Sequence, residues 1–241
     1  MGAPFPSLRL RLRSRGGDQA VSVVLDQLVI ASWTGRDRAA IEARLVELEG
    51  LGITRPPALP MLYPIAASRV TTGRALQVFG HRTSGEVEFV LLQLGGRVWV
   101  GVGSDHTDRA MEAQDAGLAK QLCDKPIAPD FWDLADVQAH WDRLRLRSFV
   151  TTADGGRELY QDGSVAAMRP PGELLALLPS HGAAAGACLL FCGTLGTHGG
   201  IRPSAGFHFE LHDPVLGRTI GSGYEVQTLP PHLMPRSAAV V

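Results

Sequence analysis

Three carboxylates stand where carboxylates are costly. The stretch GEVEFVLLQLGGRVWVGVGSDHTDRAMEA, Gly85 to Ala113, is strongly apolar, yet it opens with Glu86 and Glu88 and reaches Asp105 after a Gly-Gly pair. Gly95-Gly96 suits the two-residue turn of a hairpin, so Leu94 faces Arg97 and, counting back, Glu88 faces Gly103 and Glu86 faces Asp105. Residues directly opposite each other, and residues two apart on one strand, share a face of a sheet. All three acids therefore project from one face, Glu86 and Asp105 with Cβ atoms about 5 Å apart and Gly103 leaving room beside Glu88.

Like charges at that spacing repel. Val90, Leu92 and Leu94 share their face and Val87, Phe89 and Leu91 fill the other, so the first strand reads as buried on both sides. A buried carboxylate protonates, pairs with a cation or binds a metal. Three oxygen ligands suit a hard divalent ion, Mg²⁺ or Mn²⁺ more than Zn²⁺. The competing expectation is that the hairpin ends open to solvent or pair with Arg82 and Arg109.

Other groups are weighed against this cluster. Ser104-Asp105-His106 holds the letters of a hydrolase triad, but neighbours on a strand point to opposite faces and cannot relay a proton. GVGSDH lacks the third glycine and the strand–helix–strand frame of a dinucleotide loop. His106 beside Asp105 is expected to support the ion, face substrate or serve structure. His208, Glu210 and His212 alternate along FHFELHD and read as a solvated outer face. THGGIRP offers backbone amides and Arg202 to a carboxylate, or simply a tight turn. Cys123, Cys188 and Cys192 have no zinc spacing and are expected as buried thiols.

The elements that must position these groups are mostly strands. SLRLRLR alternates leucine with arginine and reads as a half-exposed strand, with AVSVVLDQLVIASW as a second; the arginines guard a strand more plausibly than they bind nucleic acid. RAAIEARLVELEGLG places Ile41, Leu45 and Leu48 at helical spacing and stops at Gly50 and Gly52. Extended chain is expected from about Leu62, then strands near 75–80, 86–94 and 97–103. TDRAMEAQDAGLAKQL is expected as one helix, HWDRLRLRSFVT as a strand, and GELLALLP as a short helix stopped by Pro179. ACLLFCGTL and FHFELHDPVLGRTIGSGYEVQTL return to strands, the second turning at DPVLG.

EVE, SDHTDRAME, AKQLCDKPIAP and FCGTLGTHGG, in this order, resemble the fumarylacetoacetate hydrolase superfamily. Nearly the whole chain is similar to a bacterial branch, domain of unknown function 2848, most recognisably in VGSDHTDR, KQLCDKPIAP and GGIRP. The resemblance implies an α+β, mostly β fold, a mixed β-sandwich roll with a few peripheral helices. It implies one domain over 1–241, with strands and a helix or lid in 1–60 and a metal-bearing core in 61–241, commonly as a homodimer. It implies Mg²⁺ or Mn²⁺ on Glu86, Glu88 and Asp105, substrate contacts from Arg109 and Thr194, and Lys120 stabilising the charge of a developing enolate. The substrates implied are 2-oxo acids or acylpyruvates, undergoing carbon–carbon hydrolysis, decarboxylation or tautomerisation.

Departures from the pattern qualify the reaction. The superfamily's His-x-x-Glu pair aligns with EARLVELEGLG, which keeps Glu47 and puts Arg44 where the histidine belongs; this favours reactions other than water-driven cleavage. Ser104 replaces an asparagine and Glu112 a glutamine. The rival reading is a non-catalytic protein that keeps the fold, holds a carboxylate ligand and has lost its catalytic pair.

With 241 residues, 45% of them hydrophobic, and a net charge of −1, the chain supports a substantial core and no basic field for nucleic acid. No run is long enough to span a bilayer and the N-terminus does not read as a secretory signal, so a cytoplasmic location is expected.

Overall fold

Alternation of apolar and polar residues decides most of the elements. The computed structural model describes residues 7–50, 55–178 and 186–230, without the side chains of Arg44 and Leu48. In chain order the strands are β1 (Ser7–Ser14), β2 (Gly17–Ser32), β3 (Met61–Ile65), β4 (Val70–Thr71), β5 (Ala75–Phe79), β6 (Thr83–Ser84), β7 (Val87–Leu94), β8 (Arg97–Ser104), β9 (Thr107–Asp108), β10 (Lys125–Pro126), β11 (Asp130–Asp133), β12 (Arg145–Thr151), β13 (Arg157–Ser164), β14 (Ala187–Thr194), β15 (Gly206–Asp213) and β16 (Arg218–Leu229). The helices are α1 (Arg38–Gly50), α2 (Arg109–Glu112), α3 (Ala116–Gln121), α4 (Leu134–Val137) and α5 (Pro171–Ala176). The fold is thus mostly β with a few short helices, as expected.

A seven-stranded sheet runs β1-β11-β8-β7-β14-β2-β3, and β1 also pairs with β2. The long β2 makes this possible: its first half pairs with β1 and its second half with β14 and β3. The sheet therefore closes on itself, with β3 as a flap beyond β2. Leu8, Leu10 and Leu12 line one side with Val90, Leu92, Phe131, Leu189 and Phe191. On the other side Phe89, Leu91, Val100 and Val102 pack against Leu146, Phe207, Phe209 and Ile220 of a five-stranded sheet, β13-β12-β15-β16-β5. Each such side chain contributes about 1.5–3 kcal/mol by leaving water. The hairpin β7–β8 is buried on both faces because it is the wall between two cores.

Two expectations are corrected. The helix foreseen over 107–122 is two helices, because Asp115 accepts a bond from the Leu118 amide and caps a new start at Ala116. The strand foreseen from His140 begins at Arg145, since Gln138–Arg143 forms a 3₁₀ turn that buries Trp141. Helix α5 ends at Ala176, and Pro179, its expected stop, lies outside the described residues. No helix among the described residues is long and apolar enough to cross a membrane.

Candidate metal centre

The hairpin has the register expected from its turn. Gly95 and Gly96 have φ of 60° and 73°, the left-handed pair that a tight hairpin requires. Leu94 faces Arg97, Glu88 faces Gly103 and Val87 faces Ser104; one step further, the Asp105 amide donates to the Glu86 carbonyl at 3.0 Å. One ligand oxygen from each of Glu86, Glu88 and Asp105 lies within 4.8 Å of the others. The room at Gly103 is not empty: a Cβ there would stand 2.9 Å from the Phe191 ring, so the glycine admits that ring beneath the acids.

The three acids are compensated unequally. Asp105, 0% exposed, receives Lys120 Nζ on Oδ2 at 2.5 Å and Lys125 Nζ on Oδ1 at 3.1 Å, with the Thr107 hydroxyl donating to Oδ1 at 3.2 Å. Burial alone would raise its pKa, but the lysines overcome it and hold the carboxyl well below its ordinary range. Glu86 sits 3.2 Å from Arg109 Nη2, and burial still pushes it upward. Glu88 is 2% exposed and accepts one bond, 2.7 Å from the Gly193 amide. No cation among the described residues contacts it, and burial and Asp105 together drive its pKa well above the usual carboxylate value. Glu88, buried with one amide bond and flanked by two more carboxylates, is the member of this all-oxygen donor set that lacks a contacting cation among the described residues. A hard divalent ion on Glu86, Glu88 and Asp105 fits it.

A bulge aims the Gly193 amide. Phe191 pairs with Val90 while Thr194 pairs with Glu88, so β14 carries one residue more than β7 between those pairs. Gly193 takes φ of 93°, and a Cβ there would lie 1.9 Å from Thr34 Oγ1. The bulge also sets Thr194 opposite Glu88, where its hydroxyl donates to the Val87 carbonyl at 2.8 Å and accepts from Gln161 Nε2 at 2.8 Å.

Arg109 opens α2, where Asp108 caps the Ala110 and Met111 amides. Its guanidinium donates to Ser84 Oγ at 2.7 Å and Glu112 Oε2 at 2.7 Å besides reaching Glu86. Lys120, the site lysine that the resemblance implies, is buried on α3 and turned to Asp105. His106 bonds Tyr224 Oη through Nδ1 at 2.8 Å and Thr83 Oγ1 through Nε2 at 2.9 Å. Both ring nitrogens are thus taken, and burial and Lys125 lower its pKa to about 3, leaving a neutral ring. Ser104 Oγ shares the same Tyr224 oxygen at 2.9 Å, so residues 104 and 106 point one way and Asp105 the other. That alternation is why the three consecutive residues form no triad.

Other sequence candidates make contacts of their own. Arg202 donates to the His198 carbonyl at 2.7 Å, pairs with Glu158 at 2.9 Å and stacks over Tyr160, bracing its own loop. Glu47 is on the exposed surface of α1, and the Arg44 side chain, set against the missing histidine, lies outside the described residues. The three cysteines are free and buried. Sequence reasoning missed Lys125, Gln161, Thr34 and Tyr224. Lys125 follows Asp124 in QLCDKPIAP and offers no periodic sign of burial; Tyr224 reaches Ser104 across 120 positions.

A family model described as "Protein of unknown function (DUF2848)" matches residues 31–224. No curated protein matches the chain. Among solved structures, the chain is similar to Cg1458, with a TM-score of 0.59 and 16% identity over 89% of this chain and 81% of that one. It is also similar to 2-keto-3-deoxy-D-arabinonate dehydratase complexed with magnesium and 2,5-dioxopentanoate, with a TM-score of 0.60, 13% identity and coverage of 88% and 77%. A third is 4-oxalocrotonate decarboxylase from Pseudomonas putida G7 complexed with calcium and acetate, with a TM-score of 0.51, 13% identity and coverage of 83% and 76%. At these identities the likeness establishes a shared fold.

Proposed function

The chain belongs to the DUF2848 family, and we propose that it is a divalent-metal-dependent enzyme of the fumarylacetoacetate hydrolase type, acting on a 2-oxo acid or acylpyruvate. One observation carries the reading: two buried carboxylates and a half-buried one converge within 4.8 Å, and no cation among the described residues contacts Glu88. Similarity of fold to a dehydratase complexed with magnesium and an oxo acid, and to a decarboxylase complexed with calcium and acetate, supports it.

Glu86, Glu88 and Asp105 would hold Mg²⁺ or Mn²⁺, which when bound supplies Lewis acidity to a chelating 2-oxo carboxylate. The protein's own groups do the rest. Lys120 is kept protonated by the surrounding acids, so it presents a fixed positive charge to the oxygen on which negative charge develops, an effect strengthened by exclusion of water. Arg109, held by Ser84 and Glu112, would orient a substrate carboxylate, together with Thr194, which pairs with Glu88. With Arg44 in place of a histidine, decarboxylation or tautomerisation is favoured over hydrolysis. We further read the protein as a cytoplasmic homodimer with one domain over 1–241.

A turnover screen with oxaloacetate and acylpyruvates, with and without Mg²⁺, tests the proposal. Metal-dependent loss or isomerisation of substrate is expected. Saturable binding of these acids without turnover would instead support a carboxylate-binding protein on the same fold.

A further inference from the structure

Two lysines meet one carboxylate, and they are not equivalent. Lys120 reaches Asp105 Oδ2 at 2.5 Å from α3, lies 6.0 Å from the Tyr63 ring and senses Glu86 and Glu88 as well as Asp105. It therefore stands on the side of Asp105 where the other two acids converge. Lys125 approaches Oδ1 at 3.1 Å from β10, which is pinned to β4 by the Lys125–Val70 pair. Its ammonium also donates to the His106 carbonyl at 2.5 Å, and the residue is 0% exposed. The charge that acts on it most strongly is that of Asp105.

An ion drawn to Glu86 and Glu88 must approach Asp105 from the Lys120 side and compete with that ammonium for Oδ2. Lys125 has no such conflict. It occupies the other oxygen, is anchored by a backbone carbonyl and has no exposed path along which to withdraw.

We propose that Lys125 is a positioning residue that permanently holds Asp105 Oδ1 and so presents Oδ2 to the metal, whereas Lys120 is a placeholder that the metal displaces from Oδ2 and frees for substrate. The inference rests on the metal-site reading of the acid cluster and adds a division of labour between its cations. Partners that orient a metal ligand from behind typically contribute a factor of about 10–100 to affinity, whereas a cation in the ion's place opposes binding.

The test is the affinity of the metal-stripped protein for Mn²⁺ by titration calorimetry, with Lys125→Met and Lys120→Met compared with the parent. Lys125→Met is expected to bind about 10–100-fold more weakly, and Lys120→Met equally or more tightly. A Lys125 that merely serves packing would lower the thermal midpoint of the metal-free protein and leave its Mn²⁺ affinity unchanged; that result, or weakening in both variants, overturns the inference. Should Lys125→Met fail to fold, Lys125→Gln keeps donors for both oxygens while removing the charge. It should fall between parent and the expected Met value, and an affinity equal to the parent counts against the proposal. If the parent protein itself takes up no Mn²⁺ or Mg²⁺, the metal reading fails first; if the parent binds and the variants do not diverge, only the division of labour fails.

Discussion

The acid cluster and the outer face of the five-stranded sheet carry similar letters and opposite chemistry. Glu86 and Glu88 alternate on one strand, as do His208, Glu210 and His212 on β15. A row confined to one strand cannot converge, because residues two apart are separated by about 6.5–7 Å and four apart by twice that. The outer row is accordingly resolved residue by residue: Glu210 pairs with Arg147 at 2.6 Å and His212 Nδ1 meets Thr219 Oγ1 at 2.9 Å. The cluster converges because a tight turn brings Asp105 from the facing strand, and its charge is costly because two cores exclude water around it. Alternating polar residues become a site when a second strand closes the distance and burial prevents solvent from compensating the charge.

The sharpest way to break this comparison is to neutralise one acid in each region. Glu88→Gln should lower Mg²⁺ or Mn²⁺ affinity more than about 100-fold, since it exchanges an anionic ligand for a neutral amide, while Glu210→Gln leaves metal content unchanged; equal metal content in both purified variants would refute the site.

Glycines offer the next contrast. Gly193→Ala puts a Cβ 1.9 Å from Thr34 Oγ1 at a φ of 93°. It should cost more than about 2 kcal/mol by denaturant unfolding. Gly223→Ala meets His208 Nδ1 at 2.2 Å, but that ring is half-buried on an outer face and can swing away, so a cost below about 1 kcal/mol is expected.

Response to pH separates the regions more gently. Glu86 and Glu88 have folded-state pKa values above the ordinary 4.5, so the folded metal-free protein holds more protons than the unfolded chain. Stability from these groups is complete below pH 4.5 and is lost as pH rises towards their folded values. Asp105 has the opposite sign, its stabilisation being lost only as pH falls below its ordinary 3.8. The thermal midpoint of the metal-free protein should therefore decline as pH is raised from about 4.5 towards neutrality. Mg²⁺ should blunt the decline by binding the ionised form, and a midpoint that climbs in the metal-free protein would count against the burial argument.

The smallest effect is expected on the outer face. Arg147 and Glu210 are both partly exposed, and Glu210→Ala should change stability by less than about 1 kcal/mol in chemical denaturation.

Some of this was legible in the linear chain. Register, facing pairs and the double burial of β7 follow from a two-residue turn and a period of two, both local properties that neighbouring residues enforce. The single helix expected over 107–122 is two because Asp115 competes for the Leu118 amide, a choice that composition alone does not reveal.

What the sequence by itself determined is therefore the acid face: which three carboxylates share it and that solvent is kept from one strand of it. Tertiary structure alone decided how that charge is held. The Gly193 amide comes from 105 positions away, Gln161 links β7 to β14, and Lys120 and Lys125 take opposite oxygens of Asp105. The physical reason is range. Alternation and turns act over a few residues, but the partners of a buried charge are fixed only when a closed sheet packs distant strands together and no water remains to substitute for them.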